Sequence, residues 1–135
     1  MLRKLYQRKI AIVMGASILV LAILFIDKFQ VHLDRRSAQK VAEAAAYSAG
    51  LGKAWESQDY RSVAFHVAAI NGYNNDGLTN IVQLYDPPKF GLYSGNKDYL
   101  QVEITSYVET PILHTTQEIK VFAVVHVSTT VEIVR

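Results

Sequence analysis

Hydrophobic positions follow three regimes along the chain. Residues 10–26, IAIVMGASILVLAILFI, are an unbroken apolar run. Residues 29–70 carry apolar side chains at helical spacing. Beyond residue 79 apolar and polar side chains alternate. Each regime predicts a different element.

The apolar run holds no charge over about 17 residues. At about 1.5 Å rise per residue it makes a helix of about 25 Å, sufficient for a bilayer core. Arg3, Lys4, Arg8 and Lys9 precede it, and Asp27 and Lys28 close it. A cleaved secretory signal shares the basic start and apolar centre, but its apolar region is usually only roughly 7–15 residues. Asp27-Lys28-Phe29-Gln30-Val31 also offers no pair of small residues for cleavage. The first A-x-A-like site, Ala42-Glu43-Ala44, is too far downstream. The expectation is a retained anchor. Lys28, Arg35, Arg36 and Lys40 on the far side make the charge asymmetry mild, and the short basic N-terminus is the end more easily left in the cytoplasm.

No proline or loop composition separates the anchor from residues 29–51. Leu33, Val41, Ala42, Ala45 and Ala49 lie near 3.6-residue spacing, which predicts one helix continuing to about Leu51. Gly50 and Gly52 are the expected stop. A second helix is expected over 55–70, capped by Ser57 or Asp59, with a Val63, Val67 and Ile70 stripe and Asn71-Gly72 at its end. Asp76-Gly77 is a turn signal.

Three strands are expected at 79–85, 99–109 and 120–134. In the second, Leu100, Val102, Ile104 and Val108 take one face, and Gln101, Glu103, Thr105 and Glu109 the other. In the third, Val121, Ala123, Val125, Val127, Val131 and Ile133 oppose His126, Ser128, Thr130 and Glu132. One-sided alternation predicts an antiparallel sheet with one wet face. The dry face needs cover, and the alanine-rich helix and the Val63 stripe are the apolar surfaces available. The expected fold is α+β: a long N-terminal helix, its lower half transmembrane, packed on a small antiparallel sheet, as in type IV pilin-like proteins. The divisions are a basic cytoplasmic tail (1–9), an anchor (10–28) and an extracytoplasmic domain (29–135).

Composition narrows the chemistry. The 135 residues carry a net charge of +2, which leaves no electrostatic footprint for nucleic acid. The absence of cysteine removes disulfides, thiolate catalysis and Cys-ligated metals. His32, His66, His114 and His126 are scattered, without metal-ligand spacing. No nucleophile elbow occurs. Glu103 and Glu109 stand about 20 Å apart along one strand, too far for an acid–base pair, and read as a solvated face. Gly91-Leu92-Tyr93-Ser94-Gly95 lacks the pattern of a phosphate loop. No catalytic residue, cofactor or metal site is expected.

Packing residues remain as candidates. Ala11, Gly15 and Ala22 share a helical face of the kind that lets membrane helices approach closely. Ala42, Ala45 and Ala49 form a similar small face higher up, open to a sheet or to partner helices. Asp27, at the edge of the apolar run, carries two readings: partner of a cation on a neighbouring helix, or a solvated interfacial carboxylate. Tyr93, Tyr99 and Tyr107 are candidates for a contact surface.

Several segments in order resemble the TadE/TadG-like proteins of tight-adherence (Flp) pilus assembly. They are Phe25-Ile26-Asp27, Leu33-Asp34-Arg35-Arg36, Ala42-Glu43-Ala44-Ala45-Ala46-Tyr47-Ser48-Ala49, and Ala68-Ala69-Ile70-Asn71-Gly72-Tyr73. The stretch 82–91 with its Pro-Pro and glycine, Val102-Glu103-Ile104, and the valine-rich 121–127 complete the series. Glu43 stands where the family usually has aspartate. No glycine precedes Gly15 and no glutamate precedes Glu43, so prepilin processing signals are missing and the unprocessed, TadG-like branch is the nearer one. The resemblance implies a bacterial inner-membrane protein, minor-pseudopilin-like, acting in cell adhesion or secretion without catalysis. Its implied partners are the membrane, pilus subunits, pilus or secretion platform proteins, and further copies of itself. The other expectation open to the sequence is a membrane-anchored extracytoplasmic ligand-binding or sensor domain.

Overall fold

The computed structural model describes residues 2–56, 59–128 and 132–134. It is α+β, with a long N-terminal helix packed on a four-stranded antiparallel sheet.

Helix α1 (Leu2–Ala54) runs for 53 residues, about 80 Å. Leucine, lysine, arginine and glutamine before the apolar run favour the helix, so it begins well ahead of residue 10. It also runs past Leu51, and Gly50 and Gly52 lie inside it. Gly52 marks a crossing instead of a stop: a Cβ there would stand 3.1 Å from the Cβ of Tyr60. Helix α2 (Tyr60–Ile70) starts later than expected, with Asp59 accepting the Arg61 N–H at 3.2 Å as its N-cap. Trp55 is outside the helix and exposed, and Ser57 lies outside the described residues. At the far end the Asn71 N–H returns to the Ala68 carbonyl, and Gly72 takes φ 91°.

Strands β1 (Asn80–Tyr85), β2 (Tyr99–Glu109), β3 (Thr116–His126) and β4 (Glu132–Val134) lie in that order, each antiparallel to the next. The expected third strand over 120–134 is therefore two. His126 stands opposite Tyr99, the first residue of β2. One bond follows it, from the Val127 N–H to the Asp98 carbonyl at 2.7 Å, and residues 132–134 pair back on β3, Ile133 opposite Val125. Thr130 and Val131, expected in that strand, lie outside the described residues.

The core lies between α1, α2 and one face of the sheet. Ala38, Val41, Ala42, Ala45, Ala46 and Ala49 of α1 recur at three- and four-residue steps, and all are buried. Ala64 and Ala68 of α2 join them, while Ile70 is exposed. Against these small side chains stand Leu100, Val102 and Ile104 of β2 and Ile119, Val121 and Val125 of β3. Small residues on the helix and branched ones on the sheet let the two layers approach closely. Leu33, expected on the buried stripe, is exposed.

The opposite face of β2 is not wet. Gln101, Glu103 and Thr105 are all buried. The Gln101 side-chain oxygen accepts the Lys89 and Phe90 N–H groups, which draws the β1–β2 connection over that face. Lys120 reaches the Glu103 carboxylate at 3.2 Å from the neighbouring strand. Glu103 is thus paired and covered, where the alternation suggested solvent.

One polar cluster ties three elements. Lys53 donates to Asp86 at 2.7 Å and to the Lys97 carbonyl at 3.1 Å, and the Tyr60 hydroxyl donates to Asp86 at 2.8 Å. Asp86 holds the Tyr60 phenol above its usual pKa. A raised pKa in the folded state supplies stability below the ordinary value of 10.0 that is lost as pH rises through the folded value. Asp86→Ala should cost about 2 kcal/mol and reduce that alkaline dependence, measured by urea melts at pH 7 and above pH 10. Unchanged melts would show that the cluster adds nothing.

Candidate functional site

Strand β2 descends along α1. Its first residues lie near the top of the helix, where Lys53 meets the Lys97 carbonyl. Its last residues come down to Asp27. The β2–β3 hairpin outruns β1: pairing to β1 stops at Ser106, while Tyr107, Val108 and Glu109 still pair with Glu118, Gln117 and Thr116. The turn at 110–115 is thus carried past the rest of the sheet to the level where the apolar run of α1 ends.

Asp27 receives that turn. One carboxylate oxygen accepts the Ile112 N–H and the other the Leu113 N–H, each at 3.1 Å, and the residue is 5% exposed. Neither sequence reading of Asp27 describes this. The carboxylate is held by the chain's own backbone amides, and charge-assisted bonds of this kind are the stronger class. Thr110 completes the turn. Its N–H donates to the Thr115 carbonyl at 2.9 Å, its own carbonyl accepts the His114 N–H at 3.2 Å, and its hydroxyl oxygen accepts the Thr115 N–H at 3.0 Å. A crevice of about 240 Å³ opens between helix and turn, lined by Leu24, Asp27, Lys28 and Val31 on the helix and by Leu113 with the polar Thr110, Thr115 and Gln117 on the hairpin.

Position along the helix could have revealed Asp27. Asp27 and Ala45 are about five turns apart at 3.6 residues each, so they share the buried face. The turn itself offered a second signal: Pro111-Ile112-Leu113 is apolar where hairpin connections are usually polar.

The other candidates separate. Ala11, Gly15 and Ala22 lie on the part of α1 that the sheet does not cover. All three are exposed, and nothing lies within 4 Å of a Cβ built on Gly15. Ala42, Ala45 and Ala49 are 0% exposed, covered by this chain's own sheet and α2. They are core, and that face is closed to partner helices. Tyr93 and Tyr99 stack at 4.1 Å near the top of the sheet, with His126 tilted against Tyr99 at 4.8 Å. Tyr107 sits roughly 26 Å further down β2, so the three tyrosines make no single surface. Among the described residues no three His, Asp or Glu side chains gather to hold a metal ion.

No family model, curated protein or solved structure matches the chain.

Proposed function

We propose that this chain is a single-pass membrane protein of the structural or assembly kind, a component of a tight-adherence pilus or a related secretion machine. Its N-terminus is cytoplasmic and its sheet domain lies outside the inner membrane. It acts by packing.

One observation carries this reading. Helix α1 is long and apolar enough to cross a membrane. Of residues 3–26 only Ile23 is half-buried and the rest are exposed, while the upper half of the same helix is the centre of a folded domain. An apolar helix bare on every side needs lipid or partner helices around it. The order of motifs shared with TadE/TadG-like proteins supplies the class of assembly. The rival expectation, an anchored ligand-binding domain, calls for a concave pocket and little dependence on the anchor sequence. Crevices of about 240 to 340 Å³ are present among the described residues, so dependence on the anchor is what separates the two readings.

The test is a gentle-detergent pull-down of the tagged protein from native membranes, with mass spectrometry of its partners and its intact mass. Pilus subunits or a secretion platform recovered with an uncut N-terminus support the proposal. Gly15→Leu, at a site with open space around it, should leave the domain's melting unchanged and deplete those partners. An uncut protein recovered alone overturns the assembly reading.

A further inference from the structure

We propose that the β2–β3 turn, residues 110–115, is a second membrane contact, seated in the interface of the leaflet where α1 emerges. The proposal rests on the reading of α1 as a membrane-spanning helix.

Three observations meet at this turn. The first is depth. Leu113 lines the same crevice as Leu24, which is about one turn below Asp27 and inside the uncharged run of α1. When residues 10–26 occupy the hydrocarbon, the turn, bonded to Asp27, stands at the level where that run ends. The hydrogen bonds of Asp27 to the turn fix this register, so helix and turn enter to a set relative depth.

The second is the character of the surface. Ile112 is 40% exposed and Leu113 49%, and Pro111 is exposed beside them. Single exposed leucines elsewhere, such as Leu78 and Leu92, are ordinary surface residues. Here the apolar side chains are adjacent, and Leu113 lines one crevice with Leu24 of the bare helix. On the opposite side of α1, Phe25 and Phe29 stack at 6.2 Å at the same height. Lys28 lines the crevice at the level where a lysine extends its ammonium toward headgroups.

The third concerns the backbone. Pro111 has no N–H. The other five residues of the turn each have theirs bonded within the chain: Thr110 to the Thr115 carbonyl, Ile112 and Leu113 to Asp27, His114 to the Thr110 carbonyl, and Thr115 to the Thr110 hydroxyl. A turn in water has no need of this, because solvent satisfies its amides. A turn entering a poorly hydrated layer does need it, since an unmet amide there costs several kcal/mol. Apolar side chains at 111–113 over satisfied amide donors suit a lipid interface, while His114, exposed beside them, bonds the exposed Glu109 carboxylate at 2.8 Å. The 76–80 turn also has its amides bonded and exposes Leu78, so what singles out 110–115 is this surface placed at the end of the apolar run.

The absence of cysteine makes the test direct. Full-length Leu113→Cys, Ile18→Cys and Leu92→Cys are each labelled with an environment-sensitive fluorophore. They are reconstituted at low protein-to-lipid ratio into phosphatidylcholine vesicles, with or without bromine on the acyl chains. The label at 113 should shift to the blue, be quenched by the brominated lipid, and lose the quenching by aqueous iodide that the label at 92 retains. The label at 18 reports the span independently. If 18 is quenched by brominated lipid while 113 answers only to iodide, the turn stands in water and this proposal falls, leaving the anchor intact. If 113 answers to neither quencher, protein covers it and the proposal also falls. If 18 itself answers to iodide, the membrane-spanning reading fails and takes the proposal with it.

Discussion

Asp27→Ala releases the lower end of the β2–β3 hairpin from α1. Two amide bonds to one carboxylate are lost together, and neither donor has another partner among the described residues. An unmet buried donor costs about 1–3 kcal/mol. The turn can swing outward and recover part of this, so the net loss should be about 2 kcal/mol. Hydrogen exchange in detergent micelles reads it locally: the Ile112 and Leu113 amides should exchange on the order of 30-fold faster, while Val102 and Ile104 in the sheet centre stay protected. Asp27→Asn should recover only one of the two bonds, because its amide nitrogen would face the second N–H donor to donor. Unchanged exchange at both amides in Asp27→Ala would show that the turn is held by something other than this carboxylate.

Ala45→Leu should destabilise the domain itself. Ala45 is 0% exposed, enclosed between α1 and the elements packed on it. Leucine is nearly as good a helix former as alanine, so propensity does not mask the effect. The added side chain has no room and must push sheet or helix outward, at about 1–3 kcal/mol. For a domain of about a hundred residues that is a fall of roughly 10 °C in Tm. Ala44→Leu, one position away and exposed, is the control and should melt like the parent. If Ala45→Leu melted normally and lost binding partners instead, the alanine face would be an intermolecular interface and its place in this core would be wrong.

Periodicity made much of this fold legible. The alanine stripe of α1, the alternation in β2 and the Asn71-Gly72 stop all speak through local spacing, and each is where the sequence put it. What spacing could not show was competition between segments. Gly50 and Gly52 carry the composition of a helix end, but the helix continues through both, and at Gly52 the close approach of Tyr60 favours glycine. The polar side of β2 looks solvated until Gln101 draws residues 89 and 90 across it. Alternation continues through residues 120–134, yet the length of β2 decides where β3 must stop. Asp27 stands out in the sequence only as a charge in an awkward place. Its partners are backbone amides some 85 residues away, and amides leave no mark in a sequence.

The ties between α1 and the rest of the domain are spread over its height: Asp27 to the β2–β3 turn, Gln39 to the Phe122 carbonyl, and Lys53 to Asp86. From 27 to 53 the helix covers roughly 39 Å, and β2 covers roughly 36 Å, so helix and strand run side by side. A pull along the helix axis therefore loads all three ties in shear at the same moment. A pull across the axis would open them one after another, like a zip. Because α1 has no proline from end to end, no proline kink separates its foot from the sheet. The domain is geared to its stem, and would resist axial traction far better than sideways peeling.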